Sequence, residues 1–464
     1  MIRIQRLFCA IAVLSSMASA WGNRGLADCG GLFLLDQTNQ TFSATHCNAT
    51  DSVIQNHVTI YGGYGYTQWD ATWLQDGWLL EGTQKNHSGN AGLRGDWKYL
   101  SLATDFSKGA SGEWISAMST LKLPDSIFYA NASMGKGTLH LFTLTWNPEN
   151  SSGLIDTISG DWETEAIKKS FSLGMVFHHH QLQANFSTLK THRAPLGSTH
   201  YSLRDSSLLD GMELKYDYHF NTGFASLQMR HLDLESHIFG LRNEDGNTKR
   251  FFYLPLDLEY NEIWGTLVYT NWELRMGYGK AAIKIPQETR RFYETLSPNR
   301  VLDYSITQVL SFSFYQRNYR IAGDIDGYWL ATSLGYSWEK EIHRWHWKPA
   351  LRSDFFRVQG TMNITKTNES TNLFGGSSYK EYYEGRLTFV GANAKMASRF
   401  ESPHRQFFVD VSLGQIIPFY FHSVFEEIDA EASTGNGDSE ASSNTNYTPF
   451  RDGFSAGLQL GIHF

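Results

Sequence analysis

Read backwards from residue 464, the sequence carries an apolar residue at every second position: Phe464, Ile462, Leu460, Leu458, Ala456 and Phe454. Between them stand His463, Gly461, Gln459, Gly457 and Ser455, all small or polar. Successive side chains of a strand point to opposite faces, so this segment has one apolar face and one hydrated face. The alternation recurs along the chain. In "MELKYDYHF", Met212, Leu214, Tyr216, Tyr218 and Phe220 oppose Glu213, Lys215, Asp217 and His219. Past the turn signal Asn221-Thr222-Gly223, Ala225, Leu227 and Met229 oppose Ser226, Gln228 and Arg230. "YLPLDLEY" sets Leu254, Leu256, Leu258 and Tyr260 against Pro255, Asp257 and Glu259. "WLATSLGYSW" sets Leu330, Leu334, Tyr336 and Trp338 against Ala331, Ser333, Gly335 and Ser337. "QFFVDVSLG" sets Phe407, Val409, Val411 and Leu413 against Phe408, Asp410, Ser412 and Gly414. Further strands are predicted over 57–68, 76–84, 93–105, 112–122, 136–146, 169–190, 264–280, 307–321, 345–358 and 383–400. Helical periodicity is scarce; Gly160 to Ser170 reads as one short helix in a loop.

Composition says what the two faces meet. Aromatic residues make up 14% of the chain and charged residues 19%, the latter below the roughly 25% of ordinary soluble domains. Mean hydropathy is nevertheless -0.36. A chain polar on average yet rich in aromatics fits strands that alternate lipid-facing and water-facing residues, with aromatic girdles at both interfaces. Beyond the amino terminus no run of about 18 apolar residues marks a helical membrane span. The net charge of -8 gives no support for a nucleic-acid partner, which wants basic patches.

The amino terminus reads as a targeting segment. Arg3 and Arg6 precede the apolar run Leu7 to Leu14, and Ala18-Ser19-Ala20 is a small-residue cleavage motif. That pattern predicts a signal peptide over 1–20 and an exported mature chain from Trp21. Removing Arg3 and Arg6 takes the net charge from -8 to -10. Cys29 and Cys47 then remain, and in an oxidising compartment they most simply form one disulfide. It would pin residues 21–55 as a lid, a plug or a first hairpin. With no CxxC motif, a structural staple is the preferred reading over a redox centre.

The pattern predicts an all-β fold: over 56–464, a single transmembrane antiparallel β-barrel of about 16 strands, within a range of 14–18. Closure removes the sheet edges that lipid cannot hydrate. The polar stretches 284–300, 363–380 and 426–449 read as extracellular loops, or as segments folded into the lumen.

These features together resemble Gram-negative outer-membrane β-barrel proteins: a cleavable leader, amphipathic strands throughout, and a last strand "FSAGLQLGIHF" ending on an aromatic. The resemblance covers nearly the whole mature chain and points to no named subfamily. It implies an outer-membrane location in a Gram-negative bacterium, contact with outer-membrane lipids, and recognition of the terminal strand by the barrel-assembly machinery. That role falls here on Phe454, Leu458, Leu460, Ile462 and Phe464.

Motifs that could carry chemistry are weak. On a strand, His178 and His180 would share a face and His179 the other, so the triplet reads as a polar strand end or rim rather than a metal site. In "HRWHWK", Trp345 and Trp347 read as girdle aromatics opposite Arg344, His346 and Lys348. "NHSGN" (Asn86 to Asn90) holds the ingredients of an outer-membrane phospholipase, but His87 and Ser88 are adjacent and Gly89-Asn90 makes a turn the preferred reading. The acidic residues between Glu426 and Glu440 match no Ca²⁺ loop. No catalytic set, metal ligand set or cofactor is expected.

What remains is the hydrated face. Glu213, Lys215, Asp217, His219, Arg230, Asp257, Glu259, Glu273, Arg275, His346, Lys348, Arg352, Asp354 and Asp410 carry both signs. An Arg or Lys facing lipid near the midplane costs about 2–4 kcal/mol, so these residues are predicted to line the lumen. At 14–18 strands the interior is too wide for strand side chains alone to fill. The expectation is a porin-like passive channel for small hydrophilic solutes. The alternative is a surface barrel whose loops bind a ligand or polymer, as in an adhesin or secretion-associated protein; an outer-membrane hydrolase is a distant third. Nothing in the sequence identifies an oligomer interface.

Overall fold

The computed structural model describes residues 57–75, 78–81, 85–109, 112–123, 126–146, 158–192, 201–244, 247–292, 316–372, 375–404, 406–432 and 450–464. The expected signal peptide, the 21–55 segment with Cys29 and Cys47, and the stretches 293–300 and 433–449 lie outside the described residues.

Strand formation follows the alternation. The first half of the chain supplies β1 (His57–Gln75), β2 (Trp78–Glu81), β3 (Lys85–Asp96), β4 (Leu100–Gly109), β5 (Gly112–Lys122), β6 (Phe128–Trp146), β7 (Ile158–Phe177), β8 (His180–His192) and β9 (Tyr201–Phe220). The second half supplies β10 (Gly223–Glu244), β11 (Asn247–Tyr269), β12 (Trp272–Phe292), β13 (Gln316–Ser337), β14 (Lys340–Ile342), β15 (Trp345–Asn372), β16 (Gly375–Glu401), β17 (Phe407–Ala432) and β18 (Phe450–His463). Sixteen of them close an antiparallel barrel, in which each stave pairs with the next and β18 returns to β1, from Thr59↔His463 to Ala71↔Phe450. The short β2 and β14 stand outside this count. β14 extends the hairpin into β15 through Lys340↔Trp347. β2 bridges the far ends of β1 and β6, through Gln75↔Trp78 and Trp78↔Trp146, above the tops of the shorter β3, β4 and β5.

Closure satisfies the last backbone groups of the chain. The Val58 N–H donates to the Phe464 carbonyl at 3.1 Å and the Phe464 N–H to the Val58 carbonyl at 2.8 Å. Short turns cluster at this same end, including 178–179, 221–222 and 270–271.

Several local expectations are corrected. Gly160 to Ser170 is strand, within β7, paired with β6 from Leu144↔Gly160 to Ser133↔Ser170. The stretches 93–105 and 169–190 each hold two strands joined at a turn. The histidine triplet lies where a polar strand end or rim was expected, at the β7–β8 turn, where His178 takes a left-handed φ of 52°. β3 runs straight through Asn86–Asn90, where a turn was expected. The polar stretch 363–380 is mostly the paired top of β15 and β16, out to Asn372↔Gly375, since Thr, Asn and Tyr satisfy a hydrated ladder as well as a loop.

Candidate functional site: two unlike lumen walls

The outer face fixes where the membrane lies. On β13 the outward residues Tyr328, Leu330, Thr332, Leu334 and Tyr336 form a nearly unbroken apolar run. The run from 328 to 336 is nine residues, within the roughly 9–11 that a tilted transmembrane β-strand needs to cross the apolar band. At the turn end the outward ring is aromatic: Tyr269, Trp272, Trp345, Phe400 and Phe464 are all exposed. Trp347 stacks on Phe400 at 6.1 Å and donates from Nε1 to Ser398 Oγ at 2.7 Å. At the other end the band stops at Tyr278, Tyr328 and Tyr420, also exposed. A closed sheet with a greasy belt between two aromatic rings has one home.

This is a transmembrane β-barrel of the outer-membrane type. The short-turn end is therefore periplasmic. The residues expected to form the assembly signal, Phe454, Leu458, Leu460, Ile462 and Phe464, sit on the lipid-facing side of β18, all exposed.

Above the band the alternation keeps its geometry but swaps its chemistry. On β11 the outward positions run from Tyr269, Leu267 and Ile263 to Asn261, Glu259 and Asp257, while the inward ones run from Glu262 to Tyr260, Leu258 and Leu256. The neighbours repeat this. Outward Lys280 and Lys284 on β12 oppose inward Ile283 and Ile285; outward Asp324 and Asp326 on β13 oppose inward Ile325. Inward Met362 and Ile364 on β15 and Tyr383 on β16 are almost completely buried. Beyond the lipid the tall wall is thus built like a water-soluble sheet. Asp257 and Glu259 are consequently exposed on the outer surface, which corrects their placement in the lumen.

The other lumen candidates fall on the inner face, where they join into a lateral ladder. Arg230 is clamped between two strands. Its Nη2 lies 2.8 Å from Glu213 Oε2 and its Nη1 2.7 Å from Glu262 Oε1. Tyr260 donates to Glu262 Oε2 at 2.7 Å and itself accepts from Trp329 Nε1 at 2.9 Å. Lys215 stands 3.5 Å from Asp217. Next along the wall, Glu273 lies 3.9 Å from both Arg275 and Arg352, and Arg275 covers the Trp264 ring at 4.8 Å. Arg352 pairs with Asp354 at 2.6 Å, and Asp354 with Lys395 at 3.5 Å. Arg399 holds Asp410 with two bonds of 2.7 Å, and Lys348 reaches Glu401 at 3.1 Å. His346 lies 3.4 Å from Glu339. His219 sits at the periplasmic end, its Nε2 buried without a partner among the described residues. Sequence reasoning missed Glu262, Lys395, Arg399 and Glu401. Glu262 was legible from Ile263 and Leu267, whose outward parity fixes the rest of β11.

The opposite wall is different. On β5–β8 the inward positions read across in rows: Met118, Ser133, Ser170 and Ser187; then Thr120, Asn131, Ser172 and Asn185; then Lys122, Tyr129, Gly174 and Gln183. Apart from Lys122, and Lys168 in the next row up (Ser116, Gly135, Lys168 and Leu189), these are small or neutral, and most are half-buried rather than sealed. On the next strands Arg94 holds Asp96 through Nε at 2.8 Å, and Tyr61 donates to Asp105 at 3.0 Å.

Aromatic rings lie flat on both walls. Tyr61 lies across Gly92, Trp114 across Gly137, Tyr129 across Gly174, Trp264 across Gly277, Trp329 across Gly279 and Phe408 across Gly461. Each is a direct cross-strand pair. A glycine is required because a Cβ there would occupy the space of the ring. The rings therefore line the wall instead of crossing the lumen.

His87, from the phospholipase-like motif, is exposed on the outer face of β3 beside Tyr64 and Tyr66. No metal-binding group of three ligands occurs among the described residues.

No family model matches the chain, and no curated protein matches it. Solved structures similar to it are outer-membrane proteins. The ferric yersiniabactin uptake receptor of Yersinia pestis shares 9% identity over 88% of this chain and 80% of its own, with a TM-score of 0.34. The outer-membrane OmpT of Vibrio cholerae shares 10% over 88% and 97%, with a TM-score of 0.32. A bacterial polysaccharide outer-membrane secretin shares 6% over 88% and 98%, with a TM-score of 0.34.

Proposed function

We propose that the barrel is a passive, porin-like channel for small hydrophilic solutes. The observation that carries this reading is the inner face of β5–β8. At membrane height it is lined mostly by hydroxyls and amides, with Met118, Lys122, Lys168 and Leu189 among them, and most of its side chains keep partial solvent contact. A hydrated path needs such a wall, because water and polar solutes must find hydrogen-bond partners throughout. The charges of the other wall, on β9–β17, support weak ion selectivity. Acids and bases alternate and neutralise one another within the wall, so little unbalanced field remains to sort cations from anions. The expected lipid contact and assembly through the β18 outer face belong to the same reading.

Liposome swelling tests it. Vesicles holding the folded mature chain should swell in isotonic arabinose, and about as fast in a small zwitterion such as glycine. No swelling from correctly folded protein would remove the channel reading. Function would then be sought at the extracellular projection of β10–β16, whose charged outer surface is the feature that supports a ligand-binding surface barrel.

A further inference from the structure

We infer that the neutral wall is a binding track for uncharged polyhydroxylated solutes, of the chemical class of saccharides; the inference rests on the channel reading above. Three independent observations converge on β5–β8. The first is chemical. Between Trp114 near the outside and Tyr129 near the periplasm, most inward side chains are hydroxyls and amides, with Met118, Lys168 and Leu189 among them; hydroxyls and amides both donate and accept and so match a sugar hydroxyl in either role. An ion gains little from them, and the acids and bases of the far wall are committed to each other.

The second is geometric. Tyr129 and Trp114 lie flat over Gly174 and Gly137, and both remain half-buried. Each therefore turns a ring face to the lumen. The apolar C–H face of a pyranose packs on such a surface, while its hydroxyls reach sideways to polar neighbours. Tyr129 is held in that pose, donating to Gln183 Oε1 at 3.3 Å and accepting from Gln181 Nε2 at 2.9 Å.

The third is an incomplete hydrogen-bond set in the same place. Among the described residues Asn131 Oδ1, one register row from Tyr129, has no hydrogen-bond partner, and neither has Asp217 Oδ1 on the adjoining strand β9, cross-strand from Gln181. Asp217 is 5% exposed, and its other oxygen faces Lys215 at 3.5 Å. Buried acceptors lacking donors are costly, and the half-buried Asn131 can turn its amide to take a sugar hydroxyl as the missing donor.

Single-channel recording with maltotriose as the probe tests this. The trisaccharide should interrupt the current in discrete blockades whose frequency rises with concentration. Tyr129→Ala should weaken the apparent affinity several-fold, Asn131→Leu should weaken it by a similar factor, and Thr332→Ser on the outer face should leave it unchanged. Heat-modifiable gel mobility establishes that each variant is folded; if Tyr129→Ala does not fold, Asn131→Leu carries the test. An open channel that maltotriose does not block, or blocks equally in both track variants, overturns the track and leaves the channel standing. A silent membrane from folded protein overturns the channel reading, and the track with it.

Discussion

Tyr129 lies flat across Gly174 of the neighbouring strand, its ring occupying the space a side chain at 174 would need. Five further inward rings sit on glycines in the same way. Gly174→Val should therefore lift the ring off the wall and into the lumen while leaving the lipid face untouched. Conductance should fall relative to the parent, whereas Gly89→Ala should change nothing, since a Cβ at Gly89 meets open space. Single-channel amplitude reads both.

Arg399 and Asp410 form a closed, two-bond pair in which the carboxylate is fully buried. Losing one partner strands the other charge. Arg399→Met alone should destabilise the barrel by about 3–5 kcal/mol, with much of the loss recovered in the double variant Arg399→Met, Asp410→Leu. Urea unfolding in lipid vesicles measures the difference.

Asp257 and Glu262 stand five residues apart on β11 but on opposite faces. With cysteine at 257, a bulky membrane-impermeant maleimide added to whole cells should label quickly. With cysteine at 262, buried against Arg230, labelling should be slow. Equal rates would refute the exchange of polar and apolar faces above the membrane.

Thr270 holds a left-handed φ of 53° in the β11–β12 turn, a region that disfavours β-branched residues. Its N–H donates to the Thr222 carbonyl at 2.7 Å, so the conformation is held by the neighbouring turn. Thr270→Gly should stabilise the protein by about 1 kcal/mol, visible as a higher urea midpoint.

The barrel was legible in the sequence because within the lipid belt outward residues must be apolar, and Met212 to Phe220 or Phe454 to Phe464 can be read only one way. Legibility ended where water returned. Leu254, Leu256 and Leu258 alternate as cleanly as lipid-facing leucines do, yet Leu256 and Leu258 face inward, because above the membrane the outer surface of the tall wall meets water and its apolar side turns inward. Periodicity gives the two faces and not their sides; the parity had to come from Ile263 and Leu267, nearer the turn. The flat rings were hidden for another reason. Tyr129 and Gly174 are neighbours only through the β6–β7 register, and a single strand carries no record of its partner.

The central claim is that a hydrated path runs through the barrel beside its neutral wall. The most direct measurement is single-channel current from the folded mature chain in a planar bilayer, first in symmetric salt and then across a salt gradient. Discrete ohmic steps with a reversal potential near zero are the expected result, since the charged wall compensates itself. Steps with strong selectivity for one ion sign would contradict the balanced ladder, and silence from folded protein would contradict the channel.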